Sequence, residues 1–113
     1  MSYVPARGDA IWLDFTPQMG REQAGRRPAL VLSPALYNGR VGLAIVCPIT
    51  SQVKGYPFEV VLPDGLPIHG AILADQARSL DWRTRRAEMI VRLPAEVTND
   101  VMARLAALIG LDK

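Results

Sequence analysis

Residues 88–110 read EMIVRLPAEVTNDVMARLAALIG, and at Pro94 the hydrophobic rhythm of the chain changes. Before Pro94 lies a short apolar run, EMIVRLP, with the length and β-branched content of a strand. Beyond it, Val97, Val101, Leu105, Leu108 and Ile109 recur at helical spacing. Pro94 suits the first helical position, where a missing N–H costs nothing, and Gly110 suits the C-terminal cap. Asp100 and Arg104 are spaced to pair across the outer face. One amphipathic helix therefore closes this stretch, and the residues before it must supply the sheet it covers.

Working outward, the sheet is legible as a series of short runs. GDAIWLDF (8–15) alternates, with Ala10, Trp12 and Asp14 on one face and Ile11, Leu13 and Phe15 on the other. PALVLSP (28–34) is a second strand closed by Pro34, and VGLAIVCPIT (41–50) a third, apolar enough to be buried on both faces. FEVVLP (58–63), GAILAD (70–75) and ARSLDW (77–82) follow, separated by turn signals such as PDG and IHG. Many short strands followed by a single helix predict a mainly β, α+β domain, a small and strongly twisted antiparallel barrel. The 113 residues, without repeat or linker, read as one domain over 1–113.

Composition narrows the function classes. No run reaches the roughly 18 to 20 apolar residues that span a bilayer. MSYVPARGDAIW lacks the basic, then apolar, then small-residue order of a signal peptide, so the expected location is cytoplasmic, with no membrane partner. The single cysteine, Cys47, sits within LAIVCPI and reads as a buried small hydrophobe, not a nucleophile. P-loop, dinucleotide-binding glycines and Cys/His metal spacing are all absent. The only histidine, His69, excludes a two-histidine acid/base pair and reads as a hydrogen-bonded turn residue. The net charge is only +2, yet eleven of the thirteen cations are arginine. Arg21, Arg26 and Arg27 form one cluster and Arg78, Arg83, Arg85 and Arg86 another, with Lys54 between them. Guanidinium forks suit phosphates, although a coding preference for arginine explains the same count.

The densest charge lies in GREQAGRRP (20–28), directly before the second strand. Arg27 precedes the strand proline, Thr50 and Ser51 end the third strand, and Glu22 sits in the loop between strands one and two. An acid, a guanidinium and a hydroxyl around one groove suit metal-free phosphodiester cleavage, the base taking a ribose 2′-OH proton and the cation steadying the phosphorus. A salt-bridged surface loop, Glu22 with Arg26 or Arg27, fits the same spacing.

The segments GDAIWLDF, GREQAGRRPALVLSPALYN (20–38), PITSQVKGYPFEVVLP (48–63) and ADQARSLDWRTR (74–85) closely resemble the MazF/PemK family of toxin endoribonucleases from type II toxin–antitoxin systems, nearest to the chromosomal MazF branch. The likeness runs from about residue 3 to the terminal helix. It implies an SH3-like barrel, the fold shared with CcdB gyrase poisons, and a homodimer. It further implies cleavage of single-stranded RNA at short sequence motifs, without metal or cofactor, to 2′,3′-cyclic phosphate and 5′-hydroxyl ends. A labile MazE-like antitoxin would restrain the activity, its acidic, disordered C-terminal tail covering the RNA groove. By motif position the key arginine falls on Arg27, the key threonine on Thr50 and the loop glutamate on Glu22. In these roles Arg27 stabilises the phosphorane or acts as the acid, Thr50 donates a hydrogen bond to the phosphate, and Glu22 acts as base or orients Arg27.

Arg21, Arg26, Ser51, Lys54, Tyr56, Arg78, Arg83 and Arg86 are the expected RNA contacts along the groove. Trp12 is expected in the core or the dimer interface, and Leu36, Tyr37 and part of the terminal helix at dimerisation. Two departures from the family pattern stand out. Leu73 replaces the arginine that the Kid/PemK branch sets two residues before its aspartate, so Asp75 is expected to bond backbone or a neighbouring arginine. Arg26 stands where some relatives have histidine. The competing function is a CcdB-like gyrase poison on the same fold, which cuts nothing; the EQAG-x-RP loop and Thr50 favour the nuclease.

Overall fold

The computed structural model describes residues 3–15 and 25–111. Among the described residues there are seven strands: β1 (Asp9–Phe15), β2 (Gly25–Val31), β3 (Leu43–Thr50), β4 (Glu59–Val61), β5 (Ala71–Leu73), β6 (Arg78–Asp81) and β7 (Glu88–Arg92). Two helices, α1 (Ala35–Val41) and α2 (Ala95–Leu108), and a 3₁₀ turn over Ala74–Gln76 complete the elements. All strand pairings are antiparallel, in the order β4-β5-β3-β2-β1-β7, with β6 also on β3. The architecture is therefore the mainly antiparallel β-domain with a C-terminal helix that the sequence predicts.

β3 organises the sheet. Its first half pairs with β6 (Leu43↔Asp81 through Val46↔Arg78) and its end with β5 (Ile49↔Ile72, Thr50↔Ala71). The opposite edge pairs with β2 (Val31↔Val46, Leu30↔Cys47, Ala29↔Pro48). Because side chains alternate across a strand, β1, β2 and β3 feed two cores. Ala10, Leu30, Cys47 and Ile49 pack with Ile72, Val97 and Val101 on the α2 side. Ile11, Leu13, Ala29, Val31, Ala44 and Val46 pack with Leu80 and Trp82 on the other. Strands held on both faces give the sheet a stiff centre, and what they carry at their ends inherits that stiffness.

Three expectations need correction. The third strand starts at Leu43, not Val41, and Ile45 is 39% exposed, so this strand is not buried along its whole length. Residues 35–41, which carry no helical signature, form α1. Its Asn38 is fully buried and donates to the Pro5 and Ser33 carbonyls (2.8 and 3.0 Å), while the Trp82 indole donates to the Asn38 carbonyl (3.0 Å). Tertiary bonds override weak helix formers there. Finally, Pro94 is the N-cap of α2 and not its first helical residue.

At the other end of α2, the N–H groups of Gly110 and Leu111 return to the Ala107 and Ala106 carbonyls (3.2 and 2.9 Å), closing a Schellman motif with Gly110 at positive φ. Arg104 pairs with Asp100 at 2.8 Å, as its spacing predicts. Leu108 and Ile109, by contrast, project into solvent, the latter 60% exposed. Neither helix among the described residues is long and apolar enough to cross a membrane.

Candidate active site

A cavity of about 460 Å³ opens where β2 begins and β3 ends. β1 contributes Trp12, β2 contributes Arg26, Arg27 and Pro28, and the end of β3 contributes Ile49 with Ser51 just beyond it. The turn before β5 closes the far side with Pro67, Ile68 and His69. Ile49, Ile68 and Pro28 make an apolar floor, and the guanidinium, hydroxyl and imidazole groups stand at the rim. Trp12 is half-buried here, packed against the α2-side core and facing the cavity. Trp82 is 6% exposed, a core residue.

β2 and β3 pair antiparallel from Val31↔Val46 to Ala29↔Pro48, which puts the strand segments carrying Arg27 and Thr50 at the same end of the sheet. Pro28 and the pairing of Leu13 with Arg27 fix the backbone that carries the guanidinium. Thr50 is fixed from the other side by Ala71. Its Oγ1 accepts the Gln52 N–H at 3.1 Å, a bond that leaves the hydroxyl proton to be donated outward. Gly70 makes the approach possible: at φ +121° a Cβ would lie 1.9 Å from the Thr50 carbonyl oxygen, so only glycine fits.

Arg26, which also lines the cavity, is held by partners outside it. Its Nη1 meets Asp14 Oδ1 at 2.7 Å, and its Nη2 reaches the Arg86 carbonyl (2.6 Å) and Glu88 Oε1 (3.1 Å). Arg86 joins the same carboxylate through Nε at 2.6 Å. The hydrogen bond from Arg86, followed by that from Arg26, holds the Asp14 carboxyl below the usual carboxylate range, and Asp14 in turn raises Arg86. Two of the expected phosphate contacts thus share an internal carboxylate. The remaining arginines spread further. Arg78 lies 5.8 Å from the Phe15 ring centroid, while Arg83 stacks on Trp82 at 4.6 Å and donates to the Gly39 carbonyl at the end of α1 (3.0 Å).

Lys54 and Tyr56 lie on the exposed segment after Thr50, and a residue that sequence reasoning passed over positions them. Glu59, buried at the start of β4, accepts the N–H groups of Lys54 (3.1 Å) and Gly55 (2.7 Å). An acid opening the otherwise apolar run EVV was the available signal. Arg21 and Glu22 lie outside the described residues. Asp75 is exposed on the 3₁₀ turn and takes no hydrogen bond or ion pair among the described residues, contrary to expectation. Cys47 is buried, and burial, reinforced by Asp75, pushes its thiol up to about 12, which leaves it protonated and inert.

Residues 6–109 match the family of PemK-like, MazF-like toxins of type II toxin–antitoxin systems. The endoribonuclease toxin MazF of Escherichia coli K12 is 49% identical over 108 residues, covering 96% of both chains. The endoribonuclease PemK of Escherichia coli is 36% identical, covering 91% of this chain and 80% of its own. Among solved structures, MazF in a MazE–MazF crystal structure from Deinococcus radiodurans superposes with a TM-score of 0.92 at 58% identity, covering 98% of this chain and all of that one.

Proposed function

The chain belongs to the PemK-like, MazF-like toxins of type II toxin–antitoxin systems, and from that premise we propose that it is an endoribonuclease toxin that cuts single-stranded RNA at particular sequences and arrests growth by blocking translation. The observation that carries this reading is a cavity large enough for a nucleotide, lined by Arg26, Arg27, Ser51 and His69, where β2 begins and β3 ends. The reaction is attack of the ribose 2′-oxygen on the adjacent phosphorus, giving a 2′,3′-cyclic phosphate and a 5′-hydroxyl, with no metal or cofactor.

In this mechanism Arg27 offers its guanidinium to the non-bridging oxygens, whose charge grows in the pentacoordinate transition state. Thr50 donates its hydroxyl proton to the same phosphate and holds it in register. Glu22 takes the 2′-OH proton or orients Arg27. The flanking nucleotides run over Ser51, Lys54 and Tyr56, where base stacking and phosphate contacts are available, with Arg21, Arg26, Arg78, Arg83 and Arg86 adding positive charge.

A MazE-like antitoxin inhibits by competition, its acidic tail occupying the same basic groove; relatives crystallise as MazE–MazF complexes. Dimerisation uses the apolar face around α1, where Leu36 is 70% exposed and Tyr37 and Ile45 flank an apolar groove of about 390 Å³ bounded by Met102 and Leu105 of α2. A cytoplasmic location follows from the substrate and the partner.

The test is incubation of the purified protein with mixed-sequence single-stranded RNA in EDTA, with new 5′ ends mapped by primer extension. Discrete cleavage that persists without metal and disappears in Arg27→Ala supports the reading. Intact RNA accompanied by gyrase inhibition overturns it in favour of a CcdB-like poison.

A further inference from the structure

RNA cleavage by this route expels the 5′-oxygen of the next nucleotide, and an alkoxide leaves slowly unless a proton reaches it as the P–O bond breaks. Among the described residues, the ionisable side chains lining the cavity are Arg26, Arg27 and His69. A guanidinium, with a pKa above about 12, gives up its proton reluctantly. Imidazole is the group that both carries and returns a proton near neutrality. We propose that His69 is the proton donor to the departing 5′-oxygen, an assignment that rests on the endoribonuclease reading above.

The placement of His69 argues for this. It sits across the cavity from β2, beside Gly70, whose positive φ and missing Cβ press this turn against the Thr50 carbonyl. Ala71, the next residue, pairs with Thr50. His69 is therefore two residues from the backbone that carries the hydroxyl, set there by a glycine that nothing larger can replace. It is exposed at the rim, and no hydrogen bond or ion pair among the described residues engages its imidazole, so it is not the bonded turn residue its isolation in the sequence predicts.

An attacking oxygen and a leaving oxygen lie roughly in line through phosphorus. With the phosphate held at the strand ends, His69 lines the same cavity, on the turn before β5. Charge permits the role as well. Of the two cations that line the cavity among the described residues, Arg26 is paired with Asp14 and Glu88.

The step balances within the site. The 2′-oxygen forms its bond to phosphorus and its proton passes to the base. The P–O5′ bond breaks with its electron pair going to O5′, which takes the proton from the imidazolium and leaves as a hydroxyl. Water then reprotonates the imidazole.

The discriminating experiment uses two RNAs carrying the mapped cut site, one ordinary and one with the bridging 5′-oxygen of the scissile linkage replaced by sulfur. A thiolate leaves without a proton. His69→Gln should cut the ordinary RNA about 10²–10⁴-fold more slowly than the wild type, yet cut the sulfur-linked RNA within about threefold of it, since its loss is confined to the general-acid step. Arg27→Ala should be slow on both. A His69→Gln protein that cuts ordinary RNA at the wild-type rate, or loses equally on both substrates, overturns the assignment. A wild-type protein that cuts neither RNA overturns the endoribonuclease reading itself. Thermal unfolding of the variant alongside the wild type verifies that the exposed substitution leaves the fold intact.

Discussion

Arg26 and Arg27 are neighbours in the chain, yet they belong to two differently built regions. The region around Asp14 is an ion-pair web in which Arg26, Arg86 and Glu88 answer one another within the molecule. The region around Thr50 is made by backbone constraint: a proline, a strand pairing and a glycine pressed on a carbonyl bring short polar groups to the rim of a cavity. The first region is held together by ion pairs between its own side chains, whereas the second borders a cavity. Charge density in the sequence does not separate the two, because both arginines line the cavity and only the fold brings Asp14 and Glu88 to Arg26.

The contrast breaks most readily at the two arginines. Arg27→Ala should lower cleavage by about 10²–10³-fold, the cost of losing one donor to transition-state charge, while Arg26→Ala retains most of the turnover in the same single-turnover assay. Equal losses would show that the web and the cavity are one device. Next in size, Glu59→Gln should weaken the capture of two backbone N–H groups. Denaturant unfolding should register a loss of about 1–3 kcal/mol, and KM for RNA should rise more than kcat falls as Lys54 and Tyr56 lose their fixed segment. Thr50→Val, which preserves shape and removes one donor, should cost roughly tenfold in kcat.

The smallest effect sharpens the other side. Asp14 has a carboxyl held below its ordinary value of 3.8, so its contribution to stability is present at neutral pH and lost as pH falls through the lowered value. The stability difference between the wild type and Asp14→Asn should therefore shrink as the pH is taken below about 4, the ordinary carboxylate range. The same substitution removes a carboxylate partner from both Arg26 and Arg86. The salt dependence of RNA binding should then steepen by about 0.7 in logarithmic slope for each arginine that reaches a phosphate.

Much of the fold was readable, for reasons that differ by element. The alternation in β1 sorted Ala10 and Trp12 from Ile11, Leu13 and Phe15, and the structure sends these two sets to separate cores. α2 announced itself by period and by Gly110. α1 did not, because Asn38, Gly39 and Val41 are poor helix formers and what holds them is the bonding of Asn38 to Ser33 and Pro5. In the candidate site, the local pattern supplied Arg27 and Thr50 at strand ends. It could not supply His69, which reaches the cavity only through the β3–β5 pairing, nor Glu59, whose role depends on a segment folding back over it.

Cys47 has a use beyond its place in the core. As the chain's one thiol, buried and kept protonated by burial, it is silent to alkylating reagents while the strands around it stay closed and reacts when they part. A mass shift at that single sulfur therefore counts opened molecules directly. The protein carries its own clock for unfolding, which can be read with or without a bound partner and without adding a label.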